Sequence, residues 1–219
     1  MSTFFLPGPW KDVEVKLPSN LTSDQLMAYK PFNNWLSTLS QSFQLQQDRN
    51  HVFHSKEERY SLRSIVVDTV DWFGPRIGFL KMRTEIRNES NPRPLDGVVF
   101  MRGGSVAVLM VLRLQGNEDE RYVIMTQQPR VPAGSLAFFE IPAGMIDDSG
   151  TFKGAAAKEI EEETGLTVEE GDLIDMTSKA LRNAKTEGHL QPALYPSPGG
   201  SDEYISLMAW EMTMSRMEL

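Results

Sequence analysis

A chain of 219 residues, 40% hydrophobic and 24% charged, holds one large globular domain or one domain with a smaller companion. Its net charge of −8 argues against a nucleic-acid backbone as main partner, but not against a phosphorylated small molecule approached through a bound cation. The absence of cysteine excludes a disulfide framework and thiol chemistry, and no apolar run approaches the ~18 residues of a membrane-spanning helix.

The N-terminus, Met1 to Trp10, lacks the basic stretch of a secretory signal. The expected location is cytoplasmic, with an organellar address left open if the natural chain is longer. A Pro-rich opening (Pro7, Pro9, Pro18) precedes Thr22 or Ser23, either of which can cap a helix carrying Leu26 and Met27. Phe32, Trp35, Leu36, Leu39 and Phe43 recur at helical spacing and predict a helix over 31–45. Their aromatics read as core. His51 and His54 lack a third ligand and read as surface loop.

Leu62–Asp71 and Gly78–Ile86 read as strands, with Trp72-Phe-Gly-Pro-Arg-Ile supplying the turn. A hairpin of two strands is marginal in water, so this one predicts association with a second copy. The polar connector Asn88–Pro94 divides the chain into an N-terminal region, 1–92, and a second domain, 93–219. The second part opens with strands at Gly97–Arg102 and at Ser105–Leu112, the latter apolar enough to be buried on both faces. Tyr122–Gln128 is a third strand, and Leu136–Pro142 leads into a tight loop. After one helix come Leu173–Met176 and Glu203–Met212. Several strands around one inserted helix predict an α/β sandwich. Residues 179–202 read as a long polar loop, a length usually tied to function or disorder.

The inserted helix carries the chemistry. In the run from Gly144 to Leu166, the acidic stretch Glu159-Ile-Glu-Glu-Glu163 follows three alanines and is closed by Thr164-Gly165. At about 3.6 residues per turn, Glu159, Glu162 and Glu163 fall on one face. Ala156, Ala157, Ile160 and Thr164 fall on another and can pack on a core, while Glu161 points to water. Like charges at this spacing repel by about 0.2–0.5 kcal/mol per pair, so a solvated acidic face competes with one held together by a cation. All-oxygen ligation suits Mg²⁺ or Mn²⁺.

This run resembles the Nudix box. Gly144, Glu159, Ile160, Glu162, Glu163, Gly165 and Leu166 fit its spacing. Gly150 stands where the box has its first Glu and Lys158 where it has Arg, so both ends of one structural ion pair are replaced together; Asp147 or Asp148 could partner Lys158 instead. Met125-Thr-Gln-Gln-Pro-Arg-Val-Pro, Phe139-Glu-Ile-Pro-Ala-Gly and Tyr195-Pro-Ser-Pro-Gly-Gly-Ser-Asp-Glu203 are similar to the ADP-sugar and ADP-ribose pyrophosphatases of that superfamily. Trp72–Lys81 resembles the N-terminal part of the plant-type ADP-sugar enzymes.

The resemblance implies a Nudix α/β/α sandwich with a mixed sheet, plus a small N-terminal helix and β-hairpin region that forms a homodimer. It implies metal ligation by the Ala143 carbonyl and by Glu159 and Glu163, with Glu162 binding a second metal or polarising the attacking water. Arg130 would hold the diphosphate or terminal ribose, against the alternative of a surface ion pair. Gly199, Gly200 and Glu203 would contact substrate or metal-bound water, and Trp72 or Phe73 would lie near a base, against simple core packing for Trp72. The implied reaction is Mg²⁺- or Mn²⁺-dependent hydrolysis of a nucleoside diphosphate sugar to AMP and a sugar phosphate, without nucleic-acid or membrane partners. Relatives continue past the Glu203–Met212 strand into a loop with a further catalytic glutamate. A shortened domain should therefore expose Tyr204, Ile205, Leu207, Met208, Trp210 and Met212 as an apolar patch. The competing expectation is a nucleotide-sugar binding or scaffold protein with weak or no turnover.

Overall fold

The computed structural model describes all residues except 57, 90–93, 96, 147–150, 185–186 and 218–219. Two compact units emerge. The first joins Met1–Gly103 with Glu187–Leu190 and Ser197–Glu203; the second joins Gly104–Thr186 with Gln191–Pro196 and Tyr204–Leu219.

The first unit is a five-stranded sheet in chain order: β1 (Ser2–Phe5), β2 (Glu14–Leu17), β3 (Ser61–Phe73), β4 (Arg76–Arg87) and β5 (Gly97–Met101). Alternation along the strands puts Val15, Leu17, Ile65, Val67, Leu80, Met82 and Met101 on one buried face. Leu26 of α1 (Ser23–Ala28) and Phe32 and Leu36 of α2 (Lys30–Leu45) complete that core. Each such side chain contributes about 1.5–3 kcal/mol on burial. Thr22, rather than Ser23, caps α1: its hydroxyl accepts from the Gln25 backbone N–H, and the Gln25 side chain accepts from the Thr22 N–H at 2.9 Å.

The predicted hairpin is therefore part of a larger sheet. β1 and β2 arise from the Pro-rich opening, where no strand was expected, and β2 pairs parallel to β3. An isolated hairpin is thus no longer the ground for a dimer. β3 and β4 run further than expected, with Trp72 paired to Ile77 and Phe73 to Arg76, leaving Gly74-Pro75 as the turn. Gly74 takes φ +61°, a region open to glycine. The connector Asn88–Pro94 lies largely outside the described residues. β5, expected to open the second domain, pairs with β4 in the first sheet, and the two units meet in sequence at Gly103–Gly104 rather than at 92–93.

The second unit is an α/β arrangement around a mixed sheet. β6 (Ser105–Leu114) lies along its whole length parallel to β12 (Ile205–Met214). Its other edge pairs antiparallel with β10 (Ala143–Met145) and, further along, with β7 (Asn117–Val123). The short β11 (Ile174–Asp175) pairs with β12. Helix α3 (Phe152–Thr164) packs Ala155, Ala156 and Ile160 against Val106, Val108, Met110, Met208 and Trp210. The single strand expected at Tyr122–Gln128 is divided: β7 joins the sheet, whereas β8 (Thr126–Arg130) turns away and forms a ribbon with β9 (Ser135–Glu140). Part of the expected long loop is α4 (Met176–Leu181), capped by Asp175. Thr177 of α4 takes up the edge of β12 beyond β11, accepting from the Leu207 N–H at 2.7 Å.

The apolar patch expected on the last strand does not form. Met208 and Trp210 are buried beneath α3, Tyr204, Ile205 and Leu207 are half-buried, and of the six residues only Met212 is exposed. β12 occupies an interior position in its sheet, which is why its apolar residues find cover.

Candidate functional site

Helix α3 is tightly delimited. The Thr151 hydroxyl accepts from the Gly154 N–H at 2.9 Å, and the helix ends at Gly165, whose φ of +73° continues the chain in the left-handed region while its N–H donates to the Glu161 carbonyl. Burial of Ala155, Ala156 and Ile160 fixes the roll of the helix, so Glu159 and Glu163, one turn apart, are half-buried. Glu161 and Glu162 are exposed.

Glu159 lies against β10 at Gly144. A Cβ at residue 144 would overlap the Glu159 carboxyl group outright. Gly144 is not among the residues with positive φ, so the glycine is required by space and not by backbone conformation. Ala143, whose carbonyl was expected to face a metal, is the preceding residue of the same strand.

Glu163 is held from the other side. Gln128 Nε2, on β8, donates to Glu163 Oε1 at 3.2 Å. Glu163 Oε2 is buried and has no hydrogen-bond partner among the described residues. An orphaned carboxylate oxygen in such a place is costly unless another group meets it. Two half-buried carboxylates, one with an unmet acceptor, fit a hard divalent cation. Among the described residues no three His, Cys, Asp or Glu side chains converge closely enough to form a complete metal cluster.

Glu162, by contrast, is exposed. Its side chain is 60% exposed, with Lys158 Nζ 3.8 Å from its carboxylate. An exposed i,i+4 pair of this kind contributes about 0.3–0.5 kcal/mol. The alternative partners considered for Lys158, Asp147 and Asp148, lie outside the described residues, as does Gly150.

Arg130 closes the β8–β9 ribbon. Its Nε and Nη2 approach Glu140 Oε1 at 2.7 and 2.5 Å, yet 40% of its side chain remains exposed. Pro129 coincides with a register shift between Gln128 and Arg130, and a proline has no N–H to offer the ladder. One strand thus presents Gln128 to Glu163 and Arg130 to Glu140.

The remaining sequence candidates belong to the first unit. Glu203 Oε1 pairs with Arg102 Nη1 at 3.1 Å. The neighbouring Asp202 accepts from the backbone N–H groups of Arg102 at 2.8 Å and Gly103 at 3.2 Å. Burial pushes the Asp202 pKa up, opposed by those two donors. Tyr29 is also shifted up, by burial first and then by the charge of Asp202. Gly199 and Gly200 are exposed, have no positive φ, and face open space where a side chain would begin. The Gly200 carbonyl accepts from the Phe100 N–H at 2.8 Å.

Trp72 is half-buried against the core of the first sheet, its bland alternative. The exposed ring is Phe73, in edge contact with Phe79 at 4.9 Å; Phe79 in turn meets Phe100 at 5.2 Å, with the Arg102 guanidinium 5.9 Å from the Phe79 ring centre. Sequence reasoning missed Gln128, Asp202, Arg102, Phe79 and Phe100. A signal existed for Gln128, two residues from Arg130 on a strand and so on the same face. None existed for Arg102, whose partner Glu203 is 101 positions away in sequence and is brought near by the bridge between Phe100 and Ser201.

Comparison with known proteins agrees with the box. The model of the NUDIX domain matches residues 101–200. The chain is 36% identical over 184 residues to "Nudix hydrolase 14, chloroplastic" of Arabidopsis thaliana, covering 82% of this chain and 52% of that protein. It is 32% identical over 114 residues to "ADP-sugar pyrophosphatase" of Mus musculus, covering 46% of this chain and 52% of that protein. The chain thus spans about half the length of these curated relatives.

Proposed function

The chain belongs to the Nudix superfamily, and we propose that it hydrolyses the diphosphate bond of a nucleoside diphosphate sugar, of the ADP-ribose or ADP-glucose type, with Mg²⁺ or Mn²⁺. The observation that carries the reading is the pair Glu159 and Glu163: one packed where only glycine leaves room, the other with a buried, unmet oxygen. The similarity to a protein named ADP-sugar pyrophosphatase supports the substrate class.

Glu159, Glu163 and the Ala143 carbonyl are the groups that would hold the cation. A divalent ion held there would neutralise diphosphate charge and make a water more acidic. Glu162, exposed and only weakly engaged by Lys158, is free to turn toward a second ion or a water. Arg130 binds a phosphate or ribose by exchanging part of its contact with Glu140, its planar fork suiting a bidentate anion. Glu203, steadied by Arg102, is the proposed carboxylate for orienting water. Open space at Gly199 and Gly200 allows close approach of a ligand to the backbone. We place the aromatic contact to a base at Phe73 in preference to Trp72, because the Phe73 ring is exposed.

We also propose a homodimer. The strand register places Phe5, Val66, Val98 and Phe100 on the outer face of the first sheet, and Phe5, Val98 and Phe100 are exposed. The plant relative is named chloroplastic, which supports the organellar alternative over the cytoplasmic expectation.

The exposure of Glu162, where Glu159 and Glu163 are half-buried, favours one second reading, a binding protein with weak turnover. The test is formation of AMP from ADP-ribose and ADP-glucose with Mg²⁺, alongside calorimetric binding of each ligand without turnover. AMP formation abolished by chelator supports the hydrolase. Binding with no AMP selects the second reading.

A further inference from the structure

We infer that Gln128 is a positioning residue for the cation site, holding one oxygen of Glu163 so that the other stays available. The inference rests on the metal-dependent reading above. Its basis is the division of labour between the two oxygens of one carboxylate: Oε1 accepts from Gln128 Nε2 at 3.2 Å, and Oε2 is buried with no partner among the described residues.

The residue type matters. A Glu side chain loses considerable rotamer freedom when fixed, and a carboxylate on an exposed helix face would sample many orientations. An amide N–H fixes it without adding charge. A lysine or arginine at residue 128 would instead neutralise Glu163 and compete with a cation for it. Gln128 comes from β8, in a different element from both the helix and β10, so the carboxylate is steadied from outside its own helix. The same strand carries Arg130, two residues on. Outer partners of ligating groups commonly change metal affinity by about 10- to 100-fold when removed.

The experiment measures Mn²⁺ binding to the metal-free full chain by the loss of the free-ion paramagnetic resonance signal, with a melting curve for each protein. Wild type, Gln128→Met and Glu163→Gln are compared. Gln128→Met retains length and removes the donor; the expected result is Mn²⁺ binding weakened at least about tenfold with a melting temperature within a few degrees of wild type. A purely structural role for Gln128 predicts the opposite pattern, a lowered melting temperature with unchanged affinity, and overturns the inference. Wild-type affinity in Gln128→Met, with Glu163→Gln impaired, overturns it while leaving the metal-dependent reading intact. Failure of wild type itself to bind Mn²⁺ overturns both. Should Gln128→Met not fold, Gln128→Asn withdraws the amide by one methylene; a similar loss supports the inference, and wild-type affinity refutes it.

Discussion

Substitution of Gly144 by alanine separates the fold from the site more cleanly than any other single change. The residue lies on β10, paired with Val106, and its backbone is in a region that alanine can adopt. The nearest obstacle is the Glu159 carboxyl group, which occupies the space a Cβ needs. That obstacle is the far end of a flexible side chain, so the fold can yield by turning Glu159 aside. Moving one side chain off its preferred rotamer costs about 0.5–1.5 kcal/mol. In a chain of this size, each kcal/mol lowers the melting temperature by about 2–4 °C. The chemistry cannot yield so easily, because the displaced carboxylate is the proposed ligand, and a misplacement of about 1 Å can cost 100-fold in rate. A loss of about 100-fold is about 2.7 kcal/mol of transition-state stabilisation. The expected result for Gly144→Ala is therefore a melting temperature lowered by only a few degrees and Mg²⁺-dependent AMP formation from ADP-ribose reduced about 100-fold. Differential scanning calorimetry and a phosphate-release assay coupled to a phosphatase measure the two quantities. Near wild-type turnover would refute the assignment of Glu159. A collapse of stability with no folded protein would refute the claim that the side chain, and not the strand, gives way.

Glu163→Gln should weaken Mg²⁺-dependent turnover by orders of magnitude at unchanged fold, and more than Glu162→Gln, because Glu163 is half-buried with an unmet oxygen whereas Glu162 is exposed; equal effects in titrations of rate against Mg²⁺ count against this ranking. Arg130→Lys should lower kcat/KM for ADP-ribose about 10- to 100-fold, the worth of a charge-assisted hydrogen bond of about 1.5–3 kcal/mol; steady-state kinetics showing no change would return Arg130 to a plain ion pair with Glu140. For Asp202 the sign follows from its raised pKa: the folded state holds the proton more firmly than the unfolded chain. The associated stability is present below the ordinary carboxylate value and is lost as pH rises through the elevated one. Asp202→Asn should thus gain in melting temperature relative to wild type as pH rises above the ordinary carboxylate value of about 4, and melting profiles that stay parallel with rising pH would contradict it.

What could be read without coordinates was whatever is encoded locally. The start of α1 at Thr22 or Ser23, the extent of α2 within one residue of its predicted beginning, and the termination of α3 at Gly165 all follow from side chains within a few positions of one another. The face shared by Glu159 and Glu163 follows from helical pitch alone. β6 was legible because nearly every residue in it is apolar, a pattern that needs no partner to be recognised.

Tertiary structure decided which strands become neighbours and which polar groups meet. β1 and β2 are four residues each, too short for periodicity to register, and exist because β3 and its core complete them. β5 could have opened the second sheet on composition alone; its hydrogen bonds to β4 put it in the first. The β7–β8 break at residues 124–125 is invisible in a continuous run of β-formers, because the choice lies between two sheets and not between strand and loop. The same holds for the site. Gln128 meets Glu163 across 35 positions, and Arg102 meets Glu203 across 101; the latter pair is made by adjacency of β5 with the Ser197–Ser201 turn. Helix pitch sets which carboxylates share a face, but the free energy of orienting them comes from groups on other elements, and only folding brings those groups within hydrogen-bonding distance.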